Sequence, residues 1–302
     1  MAKSYKKLKR ELPLHLMLIP GIIFLFIFNY IPLCGIYISF QDFNPAKGIF
    51  GNNEWVGFDN FAYIFSLPNI WRVFGNTLII AVLKIIFGTL VPIIVSLMLN
   101  ECRNKLFKRT IQTTIYFPYF ISWIILGGIL LDILSPTDGI VNEIIKAFGG
   151  DPIYFLGDNR FFKGTLVVSD VWRNFGYNSV IYLSAITGID MAQYEAAAID
   201  GANRWQQTIH VTLPGIATIV ILMIVLNMGN LLNAGFDQVF NLYSPQVYES
   251  GDIIDTLVYR IGLEQAKFGP STAVGLLKSV ISFILISSAY LIAYKKFDYK
   301  VF

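Results

Sequence analysis

Long apolar runs recur along the whole chain, and polar residues crowd into the gaps between them. A helix needs about 20 mostly apolar residues to cross a bilayer. Six stretches meet that length: residues 14–40, 73–99, 111–131, 165–189, 213–235 and 273–294. The first, third and fifth hold no Asp, Glu, Lys or Arg; the second carries Lys84, the fourth Asp170 and Arg173, and the sixth Lys278. The pattern predicts an all-α membrane protein of six transmembrane helices, with a polar N-terminus over 1–13 and the membrane domain over 14–302. Asp170 and Arg173, at i and i+3, are expected to pair on one helix face. Lys84 is expected to have a partner or a wet cavity beside it.

One polar gap differs from the rest. Residues 195–215 read EAAAIDGANRWQQTIHVTLPG. Three alanines favour helix, Asp200-Gly201 signals a turn, and Pro214 suits the first turn of the following span. Tyr194, Ala198, Ala202, Trp205 and Ile209 follow helical spacing on a segment too polar to span. Residues 190–212 therefore predict two short helices meeting at an angle. With one Arg, no Lys and two acids, residues 195–215 suit protein docking better than anionic lipid.

Composition agrees with a membrane protein: 55% of residues are hydrophobic and 14% charged, against about 25% charged in soluble domains, and mean hydropathy is +0.59. Cys34 and Cys102 give no disulfide framework and no metal-ligand spacing. Lys3–Arg10 before an apolar run resembles a signal peptide, but no small-x-small cleavage pattern follows, so a retained first span is expected. Basic residues concentrate at the N-terminus, at 103–109, at Arg204 and in the tail (Lys295, Lys296, Lys300), thirteen against seven on the opposite side. By the positive-inside rule both termini and the 190–212 loop are cytoplasmic. The opposite loops, including 41–72 and 236–272, are long and aromatic. Two readings stand for their rings: anchors at the headgroup level, or a surface that meets an external partner.

Glu195-Ala196-Ala197, Asp200-Gly201-Ala202, Ile209 and Leu213-Pro214 together resemble the EAA loop of permease subunits in bacterial binding-protein-dependent ABC importers. Trp55–Phe65 (WVGFDNFAYIF) followed by Asn76–Ala81 (NTLIIA) is similar to the stretch before the second span in the sugar-uptake members. The resemblance implies a type I ABC importer permease fold with cytoplasmic coupling helices. Its nearest branch is the maltose-like permeases, in the subgroup for oligosaccharides and polysaccharides. It also implies a multi-pass protein of the bacterial cytoplasmic membrane that pairs with a second, similar permease, two ATPase subunits and an extracytoplasmic sugar-binding protein. In that reading the 194–214 loop seats in the ATPase: Glu195 as polar anchor, Gly201 as turn, Ala196, Ala197 and Ala202 as packing surface, with Asp200 and Pro214 completing the element. Family members often carry a second proline shortly after Leu-Pro, and here the chain reads PGIATIV.

No G-x-x-x-x-G-K-[ST] loop occurs, His15 and His210 stand alone, and no Ser/His/Asp or Cys/His constellation is present. The chain is expected not to be an enzyme and to hold no cofactor or metal, with ATP and Mg on the partner ATPase; nucleic acid is not an expected partner. A sugar pathway should offer amides and aromatic faces at membrane depth. Trp172, Asn174, Tyr177, Asn178 and Tyr182 of the fourth span, with Asn227, Asn230 and Asn233 of the fifth, are the candidates. Each also has a plainer reading, as interhelical glue or interfacial ring. For an acidic glycan, Lys84 or Arg173 could supply the cation. A stand-alone secondary transporter of a small polar solute is the competing class, though no repeat between halves is visible.

Overall fold

The computed structural model describes residues 2–297, so Lys300 of the basic tail lies outside the described residues. The helices in chain order are α1 (Ala2–Leu25), α2 (Asp59–Ser66), α3 (Ile70–Glu101), α4 (Lys105–Tyr116), α5 (Trp123–Ile133), α6 (Ile140–Ala147) and α7 (Asn159–Thr187). They continue with α8 (Met191–Ile199), α9 (Arg204–Gln207), α10 (Leu213–Gly229), α11 (Phe236–Leu242), α12 (Tyr248–Gly251), α13 (Ile254–Tyr259) and α14 (Phe268–Phe297). Two short strands, β1 (Gln41–Asp42) and β2 (Glu54–Trp55), pair antiparallel.

Among the described residues, four helical segments are long and apolar enough to cross a membrane: Leu12–Phe40, Ile70–Glu101, Arg204–Gly229 and Phe268–Leu291. The predicted span 111–131 is not one straight helix. Lys105–Phe120 and Trp123–Ile133 meet at 104°, which makes five spans if the bent pair counts as one. Pro118 sits in a 3₁₀ turn over Phe117–Phe120 and has no N–H to continue the ladder. Ile121 is extended, and Ser122 restarts the chain as N-cap of α5, accepting from the Ile125 N–H at 3.4 Å.

The predicted fourth span falls on α7, which stops two residues short of its end and whose 29 residues extend roughly 44 Å at 1.5 Å per residue. It is long enough to cross but too polar to face lipid all round. Its polar groups face protein instead. Ser179 offers its carbonyl to Ser96 of α3 at 2.9 Å, and the backbone of Gly176 lies so close to the Ile115 carbonyl that a Cβ would sit 1.9 Å from it.

The chain divides into two compact units. The first joins the described part of Met1–Leu67 to Val258–Leu277. Here Asn60 donates to the carbonyls of Ser39 and Gln41, both at 2.9 Å, and Phe40 stacks on Trp55 at 5.5 Å. The second joins Pro68–Leu257 to the described part of Lys278–Phe302. Its core gathers Ile80 of α3, Phe162 and Leu166 of α7, and Val239, Leu242, Val247 and Ile253 from the stretch after α10. That stretch begins the predicted loop 236–272, yet it folds back as α11 to α13 and is substantially buried. Asn76 of α3 pins it by donating to the carbonyls of Glu249 at 3.1 Å and Asp252 at 3.2 Å. The ring pairs Phe236–Phe240 and Tyr243–Tyr248, both at 5.1 Å, lie within it.

Candidate translocation cavity and coupling surface

Within the second unit, α3, α7, α10 and the connector after α10 enclose a cavity of about 230 Å³. Asn174, Asn178, Asn227, Asn230 and Asn233 all line it, together with Lys84 and Asp170. Five amides from two regions of sequence therefore line one cavity. The geometry behind this differs from the expectation of one helical face. Helix α10 ends at Gly229, Asn230 is its C-cap, and Asn233 stands in the following turn. The three aromatic candidates lie elsewhere. Trp172 lines a separate apolar cleft with Leu130, Phe155 and Val168. Tyr177 stacks on Tyr119 at 4.0 Å, and Tyr182 is buried.

The expected Asp170–Arg173 pair does not form. Asp170 faces Lys84, with Nζ and Oδ1 3.5 Å apart and both side chains largely buried. The Lys84 ammonium also donates to the Ala234 carbonyl at 2.7 Å and to the Gln238 side-chain oxygen. Gln238, fully buried, in turn donates to the Leu166 carbonyl at 2.7 Å and the Ser169 hydroxyl at 2.8 Å. Gly235 has φ +94°, and a Cβ there would stand 3.0 Å from Lys84 Nζ, so a side chain would crowd the ammonium as well as strain the backbone. Gln238 was not singled out in the sequence because it falls in a predicted loop and has no periodic signal.

Arg173 is committed at the α4–α5 bend. Its Nε and Nη2 donate to the carbonyls of Ile121 and Tyr119, each at 3.0 Å, and its guanidinium lies 5.1 Å from the Trp123 ring centre and 5.6 Å from that of Tyr119. These contacts take up its Nε and Nη2 donors and hold the guanidinium at the bend. Lys278 pairs with Asp255.

The 190–212 segment is two short helices, α8 and α9. Asp190 caps α8 by accepting from the Ala192 N–H at 3.0 Å. At the other end, Gly201 has φ +82°, and the Ala202 N–H returns to the Ala197 carbonyl at 2.9 Å, the left-handed stop glycine permits. Asn203 and Gln206 form a capping box that restarts the helix. Pro214 does not open a new helix. The backbone runs on from Arg204 to Gly229 as one 26-residue helix, and a π turn over Thr208–Thr212 widens it just before the proline, which cannot bond to the carbonyl four residues back. Because Gly201 breaks the helix, the periodic apolar positions do not form one stripe. Tyr194 bonds through its hydroxyl to Thr212 at 2.9 Å, whereas Trp205 is 71% exposed and Ile199 87%. Glu195, Ala196, Asp200 and Gly201 are exposed; Ala197 and Ala202 are half-buried. Arg204 ties the segment to the end of α3 through Glu101 at 2.7 Å.

Residues 88–297 match the family of binding-protein-dependent transport system inner membrane components. The chain belongs to that family. It is thus a multi-pass membrane transport component rather than an enzyme. Two relatives from Bacillus subtilis (strain 168) extend the likeness to nearly the full length. Protein LplB is 42% identical over 96% of this chain and 91% of its own. The polygalacturonan/rhamnogalacturonan transport system permease protein YteP is 40% identical over 96% and 90%. Among solved structures, a bacterial ABC transporter involved in the import of the acidic polysaccharide alginate superposes with a TM-score of 0.89 at 35% identity. The match covers 97% of this chain and 99% of that one. The same fold is matched, at TM-score 0.88, in the alginate transporter in complex with an alginate pentasaccharide-bound periplasmic protein. The type I ABC permease fold expected from the sequence is therefore the fold observed.

Proposed function

We propose that this chain is the pore-forming permease subunit of an ATP-driven importer for oligosaccharides or complex glycans. The observation that carries this reading is the cavity in which five asparagines meet at the junction of α3, α7 and α10. Amides both donate to and accept from hydroxyls, which suits a sugar. The relatives named for polygalacturonan, rhamnogalacturonan and alginate support a glycan as cargo.

In this reading the chain crosses the cytoplasmic membrane six times, with the bent α4–α5 pair and α7 joining the four apolar helices. Both termini and the α8–α9 element face the cytoplasm. A second permease, two ATPase subunits carrying ATP and Mg, and an extracytoplasmic sugar-binding protein complete the machine. The periplasmic protein bound to the alginate transporter supports the last of these. Helix α9 is continuous with the span of α10, so a push on α8–α9 by the ATPase travels along a stiff rod rather than through a loop. Glu195, Ala196, Ala197, Asp200, Gly201 and Ala202 form the seat, and Pro214 with its π turn sits where the rod enters the membrane.

The test is to purify the tagged chain from its native membrane. An ATPase subunit and a second permease should come with it, and Glu195→Lys or Gly201→Trp should abolish uptake and capture of the ATPase while leaving the chain inserted. A chain that purifies alone and transports would overturn the reading in favour of a secondary transporter. Normal uptake by a stably expressed Glu195→Lys/Gly201→Trp double variant would remove the coupling role.

A further inference from the structure

Two opposite charges line the asparagine cavity, and the proposed function leaves both unused. Lys84 and Asp170 are the only charged residues among its lining. Their separation of 3.5 Å exceeds the 2.7–2.9 Å of a direct charge-assisted hydrogen bond. The ammonium is held back by two stronger attachments, the Ala234 carbonyl at 2.7 Å and the Gln238 side-chain oxygen. Asp170 has no such second anchor among the described residues. The ion pair is therefore slack on the carboxylate side and fixed on the ammonium side.

The fixed side matters mechanically. Ala234 and Gln238 lie on either side of Gly235, in the connector between α10 and α11. Gln238 reaches across to Leu166 and Ser169 of α7. Through one ammonium, α3, α7 and the connector are joined at the cavity itself. Pulling α3 from α7 in an empty cavity would leave two largely buried charges unpaired, and loss of a buried partner is strongly unfavourable.

We infer that the Lys84–Asp170 pair is a cargo-exchangeable lock, whole when the cavity is empty and split when a sugar hydroxyl enters between its charges. A hydroxyl accepts from an ammonium and donates to a carboxylate at once. It can replace each charge's partner with a hydrogen bond, so separation of α3 from α7 no longer strands either group. A cargo carboxylate cannot do this, because it would meet Asp170 as a like charge. The cavity is thereby selective for hydroxyls at this point even in a glycan that carries acidic groups elsewhere. This inference rests on the importer reading and adds to it the device by which cargo licenses movement.

The experiment measures ATP hydrolysis by the intact co-purified complex, without cargo, after reconstitution into lipid vesicles. Asp170→Asn removes the lock's carboxylate. Gly235→Ala attacks it from the connector, where the added Cβ crowds the ammonium at 3.0 Å. Each should raise cargo-free hydrolysis by about five-fold or more, the lower end of typical coupling between sites. Gly164→Ala, on α7 but outside the cavity lining and with open space around it, should stay close to the natural level. Assembly is checked by subunit stoichiometry, so that a rate is read only from an intact complex, and either of the two disruptive variants suffices. Unchanged cargo-free hydrolysis in an intact Asp170→Asn or Gly235→Ala complex overturns the lock. Absence of any ATPase from the natural complex overturns the importer reading instead, which separates the two failures.

Discussion

Arg173 of α7 donates its Nε–H to the carbonyl of Ile121 at 3.0 Å, the residue at which α4 and α5 change direction. The bend exposes backbone carbonyls that a straight helix would have satisfied, and a membrane interior offers no water to replace the lost partner. A planar guanidinium can serve Ile121 and Tyr119 together, and its face lies against Tyr119 and Trp123. An ammonium has neither the fork nor the face.

Arg173→Lys should therefore destabilise the protein, and Arg173→Ala should do so further. Each unsatisfied buried acceptor costs about 1–3 kcal/mol. Thermal unfolding of the detergent-solubilised protein measures it. If Arg173→Ala unfolds at the natural temperature, the guanidinium is not what closes the bend.

The same bend shows where the sequence stops being informative. Residues 111–131 carry no charged side chain, and periodicity cannot distinguish one span from two half-length helices around Pro118 and Ser122. The α8–α9 element was legible because its signals are local: the alanines and the Asp200-Gly201 turn. The cavity was legible in chemistry and not in geometry. Asparagines at membrane depth stand out in the sequence of the fourth and fifth spans. That Asn233 reaches the cavity from a turn, and that Asp170 turns to Lys84 rather than to Arg173, depends on contacts between segments far apart in the chain. Gln238 shows the limit most clearly, since nothing in FDQVFNL marks it as the residue that bridges Lys84 to α7.

Gly176 should not tolerate a side chain. A Cβ there would lie 1.9 Å from the Ile115 carbonyl oxygen, which is backbone and cannot swing away. Gly176→Ala should force α4 away from α7 and cost about 1–3 kcal/mol, lowering the unfolding temperature. Gly164→Ala, on the same helix with open space around it, should be neutral or slightly stabilising. Equal unfolding temperatures for the two variants would contradict the close approach of α4 to α7.

At the start of α7, Arg160 binds Asp158 through both side-chain oxygens. The side-chain bond to Arg160 first, and then the Arg160 backbone N–H, hold the Asp158 carboxyl below the ordinary carboxylate range. A folded-state pKa below the unfolded one contributes stability above the unfolded value, lost as pH falls through the folded value. Arg160→Ala should lower stability above the unfolded carboxylate value and leave the two proteins converging as pH falls, read from unfolding temperatures across an acid series. Arg160 is exposed and Asp158 partly so, so the difference should be small and diminish with added salt. A salt-independent difference would mean that packing, not charge, is at work.

Trp205 and Ile199 present large apolar surfaces to solvent, 71% and 87% exposed, on the two helices proposed to seat in the ATPase. Both are anchored from behind: Gly201 fixes the angle between the helices, and Arg204 and Tyr194 tie them to Glu101 and Thr212. Rigid, exposed aromatic groups of this kind dominate interface energetics, and truncating a hot spot costs about 2 kcal/mol or more. Trp205→Ala should leave the unfolding temperature of the isolated chain unchanged, because the ring packs on little within it. It should weaken capture of the ATPase at least about tenfold, the factor that 1.4 kcal/mol represents. Ile199→Ala should act in the same direction and more mildly. A Trp205→Ala chain that captures ATPase normally would remove the ring from the seat. A lowered unfolding temperature would instead assign Trp205 to the fold.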